Sequence, residues 1–319
     1  RVNGIPLRLW ELPTHPHLAL GDPLLAPDWD PALLVRLLVQ ALERRADRPW
    51  DALRLPNLPD DSLAVRGRLD AALSWAHRER AGGSMYFDCS HLDVALARCG
   101  SGFARNLRRQ ARKLEQQGTV TMTLARHGDE LDAAFADFLR LEASGWKGAA
   151  GKLSAIALHP RLLDFYQTLK NRFAANEACL ISLLKLDDKV IAAQFCLRAG
   201  DTLYLQKIAY DEAWRAEAPG NQLLHRLLEH CCADPEIRRL SLVTGPAWAV
   251  GRWNPECQPV WEILVFRRSL RGVCGLALRH LKARLWAPAR ARWRRYRAGR
   301  GGPAANDGAP AAPRPEAVG

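Results

Sequence analysis

Three apolar stretches follow one another with little between them: Ala178–Leu186, Val190–Arg198 and Thr202–Tyr210. Short turns at Asp187-Asp188 and Gly200-Asp201 join them. Links of that length bring consecutive strands side by side and antiparallel, so the sequence predicts a meander. Neighbouring segments must then cover the faces of that sheet or extend its edges. Ahead of it, Thr119–Leu124 alternates β-branched residues and predicts a strand. Leu131, Ala134, Phe135, Phe138 and Leu141 mark one amphipathic helix, and Leu162, Phe165, Tyr166, Leu169 and Phe173 mark another. A polar, Gly-rich loop from Gly145 to Lys152 lies between them. Behind the meander the pattern predicts a helix over Asn221–Cys232, a strand over Ile237–Val243, an irregular Trp-rich loop and a strand over Val260–Phe266.

The meander's last strand reaches that helix through the turn Arg215–Gln222. Such a turn aims backbone N–H groups and a helix N-terminus at one point, a geometry suited to phosphate oxygens. Gly220 permits close approach because it has no side chain. The same letters also describe an ordinary strand-to-helix turn with Pro219 at the helix start. The turn alone leaves both readings open.

The first part of the chain alternates strands (Leu7–Leu12, Asp51–Leu58, Ser84–Cys89) with helices (Pro31–Arg45, Leu63–Arg78, Leu107–Gln116), which again suggests an α/β unit. The expected division is 1–117, an N-terminal lobe with a basic connecting helix; 118–266, a second domain; 267–300, a basic amphipathic segment; and 301–319, a Gly-, Ala- and Pro-rich disordered tail. The net charge of +12 is local: residues 267–300 hold 12 Lys or Arg and no acid, and the remaining 34 basic residues balance 34 acidic ones. This argues against a surface coated with nucleic acid and for one localised anionic partner or a solvated helix face. The eight Cys contain no CxxC pair, so no zinc site is expected, and reduced thiols in the cytoplasm are the default. No apolar run suggests a membrane span. The start at Arg1 is expected to be a truncation.

Longer stretches carry a resemblance. The segments Leu141–Gly148, Gln206–Glu212 and Ala218–Gly220 resemble the GNAT-like acetyltransferase domain of cellulose-biosynthesis proteins of the CelD type, a domain related to the FemAB/FemX group. Phe103–Arg109 with Lys113–Gly118 resembles the basic segment preceding that domain, and the likeness covers about residues 85 to 266. The resemblance implies an α/β (α+β) protein of the acyl-CoA N-acyltransferase (GNAT) fold, with two tandem GNAT-like lobes of which the first is incomplete. The superfamily's phosphate-loop pattern can be laid on Arg215, Ala218 and Gly220; Ala218 stands where Gly is usual, and Pro219 removes one N–H donor.

That likeness implies an acyl-CoA-dependent N-acyltransferase, with acetyl-CoA as co-substrate, no metal, and an amine acceptor that is a small molecule or linked to a glycan or lipid. It places exopolysaccharide, cellulose or cell-envelope assembly as context. It implies that Leu203–Tyr210 splays from Ile237–Val243, so that the thioester arm lies along Ile208 and Ala209 while Arg215, Ala218, Pro219, Gly220, Asn221 and Gln222 hold the pyrophosphate. Direct transfer needs a neutral amine and a protonated leaving thiolate. Asp211 is the candidate base and Tyr210 the candidate acid. Lys207, on the opposite strand face from Tyr210, is a candidate for binding an anionic substrate or the oxyanion. Trp146 and Lys147 in the Gly-rich loop, and Arg252 and Trp253 with Trp248 in the later loop, are candidate acceptor-binding residues. Each also has an ordinary structural reading. Arg105, Arg108, Arg109, Arg112 and Lys113 could meet a phosphate-bearing acceptor or form a solvated face. In 267–300, Leu276, Leu278, Leu281, Leu285, Trp286 and Trp293 alternate with Arg and Lys, as expected for a peripheral contact with an anionic membrane face or a helix packed on the enzyme. Two other functions stay open: a Fem-like transferase using aminoacyl-tRNA, and a non-catalytic scaffold of a polysaccharide synthase.

Overall fold

A computed structural model describes residues 6–13, 17, 20, 21, 30–44, 49–66, 75–244, 249 and 252–281. The chain divides into two compact units: Arg1–Ser84 with Gln258–Gly319, and Met85–Cys257. In chain order the described elements begin with β1 (Leu9–Glu11), α1 (Pro31–Arg44), β2 (Ala52–Pro59), α2 (Leu63–Arg66) and β3 (Ala76–Asp88). Then come α3 (Leu92–Leu96), α4 (Ser101–Glu115), β4 (Val120–Ala125), α5 (Gly128–Ser144) and α6 (Pro160–Ala174). The meander is β5 (Cys179–Leu186), β6 (Lys189–Ala199) and β7 (Thr202–Tyr210). The last elements are α7 (Pro219–Ala233), β8 (Arg239–Ser241), β9 (Glu256–Phe266) and a helix, α8, over 270–281.

In the larger unit the strand order is the end of β3, then β8, β7, β6, β5 and β4. The meander pairs antiparallel throughout, as its short turns dictate. β4 adds antiparallel to β5, and β8 adds parallel to β7, the pairing expected after a helical crossover. β6 is buried on both faces, from Val190 to Leu197. Its alternate side chains serve two cores. Phe195 packs with Phe135, Phe138 and Tyr166 from α5 and α6. Cys196 packs with Leu224, Leu227 and Leu228 of α7. Each such large side chain stabilises the fold by about 1.5–3 kcal/mol through burial.

The smaller unit is built on β2, parallel to β1 and antiparallel to β9. Leu53, Leu55 and Leu58 of β2 share a core with Trp50, Ile263 and Val265. Buried Glu262 accepts from Arg54 (2.7 Å) and from Arg279 of α8 (2.9 Å).

Three expectations change. The helix expected over Leu63–Arg78 is described only as Leu63–Arg66, and Ala76–Arg78 instead open β3, where sheet pairing overrides local propensity. Residues 85–117 join the larger unit, because Phe87, Cys89, Ala95 and Leu107 share one core with α7. Gln258–Phe266 leaves it, because β9 pairs with β2 along Val260–Phe266.

Candidate active site

β7 is the strand on which the site is built. Its β6 side is paired from Thr202↔Ala199 to Tyr210↔Ala192. Its other side meets β8 only at Thr202–Tyr204. Beyond Ser241 the chain turns toward β3, and the Leu242 N–H donates to the Met85 carbonyl (2.7 Å). The register of β7 against β6 is also irregular here. Between the pairs Cys196↔Leu205 and Phe195↔Lys207, β7 carries one extra residue, Gln206. A bulge bends its strand and adds twist, and from Leu205 onward β7 has no partner in β8. The gap that the resemblance implied is present, and β7 forms one wall of a cleft of about 1030 Å³.

The turn after β7 forms a second wall. Residues Glu212–Glu217 make a 3-10 turn, Ala218 adopts a left-handed conformation (φ 51°, ψ 55°), and Pro219 starts α7. Gln110 of α4 fixes the turn by donating to the Ala216 carbonyl (2.9 Å). The first turn of α7 contains no acidic residue, so the positive end of its dipole faces the cleft uncompensated. A Cβ on Gly220 would sit 3.6 Å from the Tyr210 ring and 3.8 Å from Ile208, so the glycine lies in the angle between strand and helix.

The third wall is the loop after α5. It is tightly folded: Gly148 N–H donates to Gly145, and Ser154 and Ala155 N–H donate to Lys147 (each 2.9 Å for the latter pair). A Cβ at Gly148 would lie 1.7 Å from the Ala143 carbonyl oxygen, so this fold of the loop requires glycine there. The Trp146 N–H donates to Glu212 (3.0 Å), while its indole is 49% exposed. Lys147 Nζ turns inward, donating to Glu142 Oε1 (2.9 Å) and to the Ile208 carbonyl (3.3 Å). The other Glu142 oxygen accepts from the Ile156 N–H (2.9 Å).

Most of the expected site residues line this one cleft: Lys207, Ile208, Ala209, Tyr210, Arg215, Ala218, Pro219, Gly220, Asn221, Trp146, Lys147 and Arg252. Three do not. Asp211 caps the 3-10 turn through the Ala213 N–H and pairs with Lys189 (2.7 Å). The Lys189 bond holds its carboxyl below the ordinary range, the opposite of a poised base. Gln222 is buried and donates to the Leu107 carbonyl (2.9 Å), a scaffold contact. Trp253 is fully buried, edge-on to Phe87 and Phe103, so its ring is unavailable for stacking on an acceptor. Trp248 lies outside the described residues. The arginines of α4 are exposed, and its Phe103, Asn106 and Gln110 line the cleft instead. Sequence reasoning missed these three and Glu142. The signal for Glu142 was its place four residues after Phe138 on the buried stripe of α5, where a carboxylate demands a partner.

In α8, Leu276 packs on the core of the smaller unit, and Arg279 is bound by Glu79 and Glu262. Leu270, Val273, Leu278 and Leu281 are exposed. Leu285, Trp286 and Trp293 lie outside the described residues. Among the described residues no helix is long and apolar enough to cross a membrane, and no group of His, Cys, Asp and Glu is arranged to hold a metal ion.

Residues 101–249 match the family model described as an acetyltransferase (GNAT) domain. That match spans every wall of the cleft except Arg252, and the mixed α/β fold is GNAT-like. A conserved protein of unknown function from Bacteroides thetaiotaomicron is similar in structure, with 13% identity, TM-score 0.52, and coverage of 74% of this chain and 75% of that one. The C-terminal DUF2156 domain of an Agrobacterium fabrum protein, described as a putative lysylphosphatidylglycerol synthetase, is similar too: 14% identity, TM-score 0.52, coverage 88% and 83%. At these identities the likeness is one of fold. No curated protein matches the chain.

Proposed function

We propose that the cleft transfers an acyl group, acetyl in the simplest case, from coenzyme A to an amine. One observation carries this reading: the unpaired edge of β7 and the N-terminus of α7 open into the same cleft, meeting at Gly220 beside Tyr210 and Ile208. An extended amide-bearing arm can hydrogen-bond to a free strand edge. An anionic diphosphate is stabilised at a helix N-terminus. The residues present fit such a thioester: the helix start is free of acids, and Arg215 lines the same wall. Tyr210 remains the candidate acid for the departing sulfur, and the exposed Trp146 indole marks the side open to the acceptor.

The acceptor, the exopolysaccharide or cell-envelope setting and membrane contact through 267–300 belong to this proposal and rest on the resemblance and the charge pattern. Calorimetric titration with acetyl-CoA tests it. The full chain should bind with micromolar affinity, and Gly220→Asp should abolish binding while keeping the fold. A folded mutant with unchanged affinity would overturn the assignment of the turn. Absence of binding to the natural chain would favour transfer from aminoacyl-tRNA or a scaffold role.

A further inference from the structure

Building on the acyl-transfer reading above, we infer that the side-chain amine of Lys207 is the base that takes the proton from the attacking nitrogen. Among the described residues, the titratable side chains lining the cleft are Glu142, Lys147, Lys207, Tyr210, Arg215 and Arg252. At neutral pH only a carboxylate or a free amine among these can accept a proton. Glu142 is excluded by its bonds: one oxygen is held by Lys147 and the other by the Ile156 N–H, and its side chain is 2% exposed. Lys147 is excluded as the partner in that ion pair. Lys207 remains.

Its surroundings suit the role. Lys207 is half-buried on the bulged part of β7, opposite Phe195 of β6. From α6 the Tyr166 ring faces it, with Nζ 6.0 Å from the ring centroid. From α5 comes Glu142, already neutralised, and from the following loop comes the ammonium of Lys147. No described carboxylate pairs with Lys207. Burial foremost, and then the charge of Lys147, push its ammonium below the ordinary lysine range, with Glu142 pulling weakly the other way. A lysine so placed gives up its proton more readily than a solvated one, and its side chain lines the cleft.

The step balances simply. The amine nitrogen bonds to the acyl carbon and gives one proton to Lys207 Nζ. The C–S bond breaks with its electron pair on sulfur, which takes one proton from Tyr210 or water. Lys207 returns its proton to solvent, and Tyr210 regains one.

Competitive labelling of the full chain with trace acetic anhydride, from about pH 6 to about pH 11, reads the titration of each lysine by mass spectrometry. Lys207 should titrate below exposed Lys113, and Lys147→Met should raise its midpoint. A Lys207 midpoint at or above that of Lys113 overturns the inference. Release of CoA thiol from acetyl-CoA is then followed with lysine and glucosamine as amine probes. Lys207→Met and Lys207→Arg should both lose turnover by roughly 10²–10⁴-fold while still binding acetyl-CoA. An active Lys207→Arg would show that a cation suffices and would overturn proton transfer. Absence of acetyl-CoA binding to the natural chain would instead defeat the acyl-transfer reading itself.

Discussion

The indole N–H of Trp253 donates to Asn221 Oδ1 at 3.1 Å. The bond ties the loop before β9 to the first turn of α7, beside the proposed phosphate site. Trp253→Phe keeps an aromatic ring against Phe87 and Phe103 but frees Asn221. It should cost roughly 2 kcal/mol, from lost volume and one hydrogen bond. Acetyl-CoA affinity should fall severalfold because Asn221 is no longer oriented. Thermal denaturation and calorimetry on the same preparation would check both; unchanged affinity would mean that the loop does not order the helix start.

Glu142 and Lys147 should behave as a unit. Glu142→Gln leaves Lys147, only 19% exposed, without its carboxylate and should destabilise by about 3 kcal/mol. Adding Lys147→Met should recover part of that loss. Urea denaturation of both single variants and the double variant gives the coupling, and strict additivity would contradict a shared ion pair.

Two glycines should respond in opposite ways. Gly148→Ala places a Cβ against a backbone carbonyl that cannot move without unfolding the loop, and should cost about 3 kcal/mol or more. Gly220→Ala meets only ordinary contacts, so stability should stay within about 1 kcal/mol, while acetyl-CoA binding weakens as the added methyl enters the cleft. Melting curves alone would expose an error if the ranking were reversed.

Asp211 provides a pH test. Its folded carboxyl is held low, first by the Lys189 bond and then by the Ala213 N–H against the effect of burial. Its contribution is therefore fully present above about pH 3.9, the unfolded value, and is lost as pH falls through the lower folded value. Asp211→Asn should flatten that acid limb by about 1 kcal/mol or less, since Lys189 is 57% exposed. Turnover should change far less than the roughly 10²–10⁴-fold expected on removing a general base. A loss of that size would restore Asp211 to the chemistry.

The local pattern of the chain determined the meander, the helices around it and the position of the turn at Pro219-Gly220. These depend on periodicity and on links too short to allow alternatives. Tertiary structure decided the rest. That β9 pairs with β2 depends on which strand edges are free, and residues some 200 positions apart settle it. The Gln206 bulge, close to where β7 loses its β8 partner, is visible only in the register against β6. Asp211 and Lys207 could exchange roles on paper, because both are titratable residues at one end of a strand. Their neighbours separate them: Lys189 saturates the carboxylate, while burial, Tyr166 and the engaged Glu142 leave the lysine without a counter-charge. Protonation is set by solvent and charge in three dimensions, and sequence spacing carries little of that.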